Sequence, residues 1–172
     1  MNHLENLIKQ YYEWQGYVVR NNVKVGPRPQ GGYEGELDIV AYRHGSPDAG
    51  TARLLHIEPS LDGDAWARRE QRFRKKFEAG QKHIFKDVFP WLDPTTPIQQ
   101  TAILISRGRK IIGGGEVVYI DEFIGEVRAK IRAEGIMVKH AIPEQFDLLR
   151  TIQLFECGYY RVLASADHAE VG

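Results

Sequence analysis

The chain has 172 residues, of which 42% are hydrophobic and 27% are charged. This length suits one domain with a single core, and the composition excludes a disordered or fibrous protein. The 23 basic and 23 acidic side chains give a formal net charge of +0, so any binding of nucleic acid must depend on a local basic patch. The single cysteine, Cys157, excludes an intramolecular disulfide and a cysteine-based metal cluster, and predicts a buried, reduced thiol on a helix.

The sequence does not indicate a membrane protein. No apolar run approaches the ~18 residues that a membrane span requires. The first residues, "MNHLENLIKQYYEWQ", are too polar for a signal peptide. We therefore expect a cytoplasmic protein that does not contact a membrane.

Hydrophobic periodicity and turn residues predict alternating helices and strands. In chain order, we expect a helix at 3–15 starting near Asn2, strands at 17–25, 36–43 and 53–60, a long helix at 64–85, strands at 100–106 and 116–120, a helix from an Asp121 N-cap to Gly135, and a helix from Pro143 to Gly158. This order predicts an α/β or α+β sandwich with a mixed sheet.

Two of these strands bring acidic residues together. If 36–43 and 53–60 form an antiparallel pair around a loop centred near Asp48, positions that sum to 96 lie opposite each other. Asp38 then faces Glu58, and Glu36 faces Ser60, with opposite Cβ atoms ~4.5–5.5 Å apart. Like charges so placed are destabilising unless a cation intervenes, and Mg²⁺ prefers such hard oxygen ligands. A bound metal would activate water and neutralise charge on a phosphoryl oxygen.

The segments "GELDIVAY" and "LLHIEPS", after an N-terminal helix that carries Glu5, resemble the PD-(D/E)XK nuclease superfamily. The resemblance covers about residues 3–106 and implies a restriction-endonuclease-like, three-layer α/β sandwich with a mixed central sheet flanked by helices. The chain length predicts a single domain at 1–164, whose C-terminal strand and helices occupy 107–164, and the last residues predict a flexible tail at 165–172. The resemblance also implies hydrolysis of DNA with Mg²⁺ or Mn²⁺.

The resemblance assigns roles to individual residues. Asp38 matches the first metal-binding acid, and Glu58 matches the acid of the (D/E)-x-K element. The carbonyl of Pro59 stands where a backbone ligand is often supplied. Glu36 matches the extra acid of "GE-x-D" variants, and Glu5 matches an acid that some members carry on the first helix.

Ser60 departs from the family pattern, which has a lysine at this position. That lysine orients the attacking water and stabilises negative charge, whereas serine supplies a hydroxyl without charge. Some members carry the lysine on the following helix, where Lys75, Lys76 and Lys82 are candidates. We favour Lys76, because Arg69, Arg72 and Lys76 align at i, i+3 and i+7.

Two basic segments are candidate DNA contacts. "RREQRFRKK" (68–76) concentrates cations on one helix, and "SRGRK" (106–110) follows a strand. The residues assigned to phosphate contacts are Arg69, Arg72, Lys75, Lys76, Arg107 and Arg109. The alternative is a solvated helix face paired with Glu70 and Glu78. His56 shares the carboxylate face and is either a proton relay or a hydrogen-bonded structural histidine.

The sequence supports three hypotheses. The first is a metal-dependent DNA nuclease that uses Asp38 and Glu58 for the metal and Ser60, Lys76 and Glu5 as further catalytic residues. The second is a catalytically inactive module of the same fold that binds DNA or a protein. The third is a structural or protein-interaction domain. A homodimer is compatible with all three.

Overall fold

The computed structural model describes residues 2–45, 53–135, 137 and 139–157. The loop centred near Asp48, the helix end at Gly158 and the tail at 165–172 lie outside the described residues. The chain divides into two compact units, Met1–Ile120 and Asp121–Gly172. Among the described residues, no helix is long and apolar enough to cross a membrane.

The first unit is an α/β structure built on one mixed sheet. Its elements are α1 (His3–Trp14), β1 (Val18–Pro27), β2 (Tyr33–Arg43), β3 (Arg53–Ser60), α2 (Trp66–His83), a π-helical turn (Ile84–Val88), β4 (Ile98–Leu104), β5 (Ile111–Ile112) and β6 (Gly115–Tyr119). The six strands lie in the order β1-β2-β3-β4-β6-β5. β3 and β6 both run parallel to β4, whereas the β1–β2, β2–β3 and β5–β6 pairs are antiparallel. The predicted mixed sheet is confirmed, and the short strand β5 was not predicted.

The start of α1 follows directly from its sequence. The Asn2 side chain accepts a hydrogen bond from the Glu5 amide, and the Glu5 carboxylate accepts one from the Asn2 amide, forming a capping box. Such reciprocal bonds satisfy backbone donors that have no partner within the helix. The predicted helix start near Asn2 is therefore confirmed.

The sheet is covered on both faces along the middle of β2. Ile39, Val40 and Ala41 are consecutive and completely buried. Successive strand residues point to opposite faces, so apolar groups must pack on each side of β2. On α2, Phe73 and Phe77 belong to a cluster that includes Leu104 and Ile112 of the sheet. Burial of this apolar stripe positions the polar residues of α2 beside the strands.

The second unit contains α3 (Ile120–Glu134, which begins at the last residue of the first unit) and α4 (Asp147–Cys157). The predicted N-cap at Asp121 is wrong, because Asp121 lies in the first turn of α3. The predicted start of the last helix at Pro143 is also wrong. Phe146 donates to the carbonyl of Pro143 in a separate turn, and α4 begins afterwards. Cys157 is a buried free thiol at the end of α4, as predicted.

Candidate functional site

The predicted strand register is present in the structure. The β2–β3 pairs run from Ile39 opposite Ile57 to Arg43 opposite Arg53, which is the register with positions summing to 96. One step beyond this ladder, the backbone amide of Asp38 donates to Oε1 of Glu58 at 3.1 Å. The hairpin therefore brings the two acidic residues together on neighbouring strands.

Lys76 of α2 reaches between these two carboxylates. Its Nζ donates to Oδ2 of Asp38 at 2.7 Å and also to Oε2 of Glu58. The Lys76 side chain is 29% exposed, Asp38 is 14% exposed and Glu58 is completely buried. One ammonium group thus offsets part of the negative charge of an acidic pair at the edge of the interior, where an unpaired charge would be costly.

The two carboxyl groups titrate differently. Burial raises the pKa of Asp38, and the adjacent Glu58 raises it further, so that it reaches about 7 although Lys76 opposes the shift. Burial would also raise the pKa of Glu58, but hydrogen bonds from His56 and from Asp38, together with the charge of Lys76, lower it to about 2. Burial acts to lower the pKa of Lys76, and the two carboxylates outweigh this effect and raise it. The two pKa values shift in opposite directions, so Glu58 is the stronger acid of the pair and Asp38 is the weaker one.

His56 supports Glu58 from inside the protein. His56 Nε2 lies 2.8 Å from Glu58 Oε1, and both side chains are completely buried. The Gln100 amide nitrogen donates to the Phe77 carbonyl at 2.7 Å and lies 3.3 Å from His56 Nδ1. Because the Phe77 carbonyl can only accept, the amide nitrogen faces His56, whose Nδ1 accepts and whose Nε2 carries the proton that Glu58 receives. This geometry favours the structural interpretation of His56 over a relay to solvent.

Ser60 belongs to a polar turn between β3 and α2. Its Oγ donates to Oδ2 of Asp62 and accepts from Nη2 of Arg72 at 3.1 Å. Arg72 also donates to Asp62 and, at 3.2 Å, to Asp64. Although burial acts in the opposite direction, hydrogen bonds from Ser60 and Arg72 hold the pKa of Asp62 well below its usual range. Ser60 is thus part of a hydrogen-bonded turn in which Arg72 pairs with Asp62 and Asp64.

Glu36 and Glu5 meet through an asparagine that sequence reasoning missed. The Asn22 side-chain amide lies 3.4 Å from Oε2 of Glu5 and 3.5 Å from Oε1 of Glu36. Asn22 has a φ of 52°, a left-handed conformation that is uncommon for residues other than glycine. By the β1–β2 register, Asn22 lies opposite Asp38, and the ladder is interrupted there. The polar pair Asn21–Asn22, within a segment that otherwise favours a strand, could have indicated this interruption from the sequence.

A cleft of about 260 Å³ lies beside Lys76. It is lined by Glu34, Gly35, Glu36, Arg72, Lys75, Lys76 and Ala79. Lys75 is exposed, and Arg72 is half-buried. The cleft therefore combines acidic and basic side chains and includes two of the residues assigned to phosphate contacts, in addition to Lys76.

The structure places Arg69 in the interior. The Arg69 side chain is 2% exposed. Its guanidinium donates to Oδ1 of Asp62 at 3.0 Å and to the Ser106 hydroxyl at 3.2 Å, and it stacks on the Trp66 ring. We therefore assign Arg69 to the support of this turn and no longer to DNA contact. Arg107 and Arg109 are exposed, as a phosphate contact requires.

The described residues contain no group of three or more His, Cys, Asp or Glu side chains suited to hold a metal ion. Asp38 and Glu58 form a pair of facing carboxylates. Glu36 lies at the cleft and interacts with Asn22. Pro59 lies in β3 opposite Ile103 of β4. A metal at this position would depend on two side chains of the protein, with water and substrate supplying its other ligands.

Comparison of the chain with protein-family models, with curated proteins and with solved structures found no match. A functional assignment therefore depends on the chemistry of the residues described above.

Proposed function

We propose that this protein is a Mg²⁺- or Mn²⁺-dependent nuclease that hydrolyses phosphodiester bonds in DNA. The observation that carries the proposal is the contact of one cation, Nζ of Lys76, with Asp38 and Glu58 from adjacent strands. The paired acids and the lysine are the functional groups expected at a PD-(D/E)XK site. The lysine comes from α2, in agreement with the relocation inferred from Ser60.

The topology supports the same proposal. From α1 to β4 the elements follow the helix–strand–strand–strand–helix–strand order of the restriction-endonuclease-like core. The interior strand β2 is buried on both faces at Ile39, Val40 and Ala41, which a three-layer sandwich requires. The acids lie on β2 and β3, and the lysine lies on the helix that follows.

The acidic pair fits a hard divalent cation. Oδ2 of Asp38 and Oε2 of Glu58 already face a single positive charge, and carboxylate oxygens are the ligands that Mg²⁺ and Mn²⁺ prefer. When bound, such an ion would lower the pKa of a water molecule and neutralise charge on the phosphoryl group. Asp38 and Glu58 would hold the ion, with Glu36 at the adjoining cleft.

The remaining residues have separate tasks. Lys76 supplies a fixed positive charge beside the acids, where it stabilises negative charge that develops on a phosphate. His56 and the Asp38 amide fix the Glu58 carboxylate, so that its orientation does not change during the reaction. Arg72 and Lys75 at the cleft provide contacts for neighbouring phosphates.

The direct test is incubation of the protein with plasmid and single-stranded DNA in the presence of Mn²⁺. The nuclease predicts cleavage by the native chain and loss of cleavage in Asp38→Ala. A second variant, Glu144→Ala, removes an exposed carboxylate from the other compact unit and should cleave normally. Identical products from the native chain and Asp38→Ala would refute the proposal.

A second function has its own support. Lys76 binds the oxygens that a metal would need, and Ser60 supplies no charge to the site. A module that binds DNA without cleaving it would retain the contacts of Lys76 with the two acids as structural ion pairs. Salt-sensitive DNA binding together with unchanged substrate after prolonged incubation with Mn²⁺ would favour this alternative.

A further inference from the structure

The loop between β4 and β5 carries two arginines in fixed positions. The Gly108 amide donates to the Tyr119 hydroxyl at 3.0 Å, and this hydroxyl donates to the Arg109 carbonyl at 2.7 Å. The Tyr119 side chain therefore fixes the backbone at both Gly108 and Arg109. The Arg107 guanidinium lies 5.1 Å from the centre of the same tyrosine ring.

Trp66 holds the second arginine. The Arg109 guanidinium lies 5.5 Å from the Trp66 ring, and the buried Arg69 lies 5.1 Å from it. Gly108 has a φ of 144°, and a Cβ atom there would lie 3.2 Å from the Trp66 ring. The glycine allows the backbone to approach the indole, so the loop and the ring pack closely. Stacked guanidinium groups lose less conformational entropy when they bind an anion.

The two arginines remain accessible despite these contacts. Arg107 is exposed, and the side chain of Arg109 is 46% exposed. Arg109 approaches Glu70 at 3.5 Å, but Glu70 has closer partners in Arg74 at 3.0 Å and in the Gly113 amide at 3.2 Å. The loop thus presents planar donors to solvent, and such donors match the oxygens of a phosphate group.

The loop is structurally connected to the acidic pair. The β3–β4 register sets Glu58 opposite Ala102 and Ser60 opposite Leu104, two residues before Ser106. Arg69 then joins Asp62, which follows β3, to Ser106 at the start of the loop. The four residue-to-residue steps from Ala102 to Ser106 span at most ~13 Å. That distance corresponds to about four base-pair steps along the axis of duplex DNA, at ~3.4 Å each.

We infer that Arg107 and Arg109 form a second phosphate-binding element, and that the substrate is a polynucleotide whose backbone contacts both the acidic pair and this loop. The assignment of the ligand as a substrate rests on the proposed nuclease function, whereas the binding of a phosphate backbone by the loop does not. On this inference, a single nucleotide or a small phosphodiester would contact the acidic pair and not the loop.

The test compares an Arg107→Gln/Arg109→Gln variant with the native chain in binding a fluorescent DNA duplex in EDTA over a series of salt concentrations. We expect the affinity to fall roughly tenfold and the slope of log K against log salt to become shallower by about 2. The matched control is Arg128→Gln/Arg132→Gln, which removes the same charge from two half-exposed arginines paired with Glu156. It should bind as the native chain does. Equal losses in both variants, or no loss in the loop variant, would overturn the inference.

Two further measurements distinguish a loss of phosphate binding by the loop from a loss of catalysis and from misfolding. The native chain and the loop variant should hydrolyse bis-p-nitrophenyl phosphate with Mn²⁺ at the same rate, because this small diester does not reach the loop. Duplex binding through the loop without hydrolysis of either substrate would refute the nuclease and retain the inference. An Arg107→Lys/Arg109→Lys variant preserves both charges and should keep the native slope of log K against log salt. If the lysine variant keeps this slope and the glutamine variant loses it, the loss is due to charge and not to misfolding.

Discussion

His56 and Glu58 form a hydrogen bond of 2.8 Å between two completely buried side chains two residues apart on β3. A carboxylate in this position has no contact with solvent, and it is stabilised by the imidazole, the Asp38 amide and Lys76. The site therefore begins inside the core and ends at the cleft. Its inner part fixes the anion, and its outer part remains accessible to a ligand.

Replacement of His56 by Leu should remove a donor from a buried anion. We expect the free energy of unfolding to fall by about 2–3 kcal/mol, as for other hydrogen bonds to charged groups. Urea denaturation measures this change. The same substitution in a Glu58→Gln background should cost less, because the acceptor is then neutral. Equal costs in the two backgrounds would show that the pair has no charge-dependent coupling.

Gly80 of α2 packs directly against His56. A Cβ atom there would lie 2.2 Å from His56 Nδ1. Gly80→Ala should therefore destabilise the protein by about 2–3 kcal/mol through overpacking, even though alanine favours helices. Gly125→Ala on α3 provides the control, because nothing lies within 4 Å of the added atom. It should be neutral or stabilising by up to ~1 kcal/mol in thermal and urea unfolding, and a Gly80→Ala variant as stable as this control would contradict the packing described here.

Lys76 and Lys75 are neighbours on α2 with different surroundings. Lys76 contacts both acids, whereas Lys75 is exposed at the cleft. Lys76→Met should reduce cleavage of DNA in Mn²⁺ by about 10²–10³-fold, which is typical of the loss of one group that stabilises transition-state charge. Lys75→Met should weaken DNA binding modestly and leave turnover at saturation near the native value. Steady-state cleavage kinetics with both variants check this prediction. Equal losses of cleavage rate in the two variants would contradict a specific role for Lys76 in catalysis.

The proton on Asp38 gives the stability a defined dependence on pH. The pKa of this group is raised from 3.8 to about 7 in the folded protein, so between these values the native state binds more protons than the unfolded state. The contribution of Asp38 to stability is therefore present below pH ~4 and declines as the pH rises to about 7. We expect native and Asp38→Asn proteins to differ in this window, with the native chain losing stability relative to the variant as the pH increases. Urea unfolding across the range measures this, and parallel curves would contradict the shift.

The strand register and the acidic pair could be predicted because they depend on local rules. The alternation of side chains and the symmetry of a hairpin around one centre together determine which residues lie opposite each other. Lys76 could be predicted from helical spacing on α2. These features need no knowledge of distant parts of the chain.

The supporting residues could not be predicted in the same way. Arg69 was predicted to contact phosphate because it lies in the basic segment of α2, but Asp62 and Ser106, from two separate segments, accept hydrogen bonds from it in the interior. The role of Gln100 depends on the pairing of β4 with β3, which is not a local property of either segment. Asn22 adopts its left-handed conformation in a strand, where residue preferences favour extended backbone.

The central claim is that Asp38 and Glu58 together bind one divalent cation, and titration with Mn²⁺ monitored by calorimetry tests it most directly. The account predicts saturable binding of one ion by the native chain, weakened at least tenfold in Asp38→Asn and in Glu58→Gln, as expected when a ligand is lost. Absence of binding by the native chain, or equal affinity in the native chain and both variants, would contradict it.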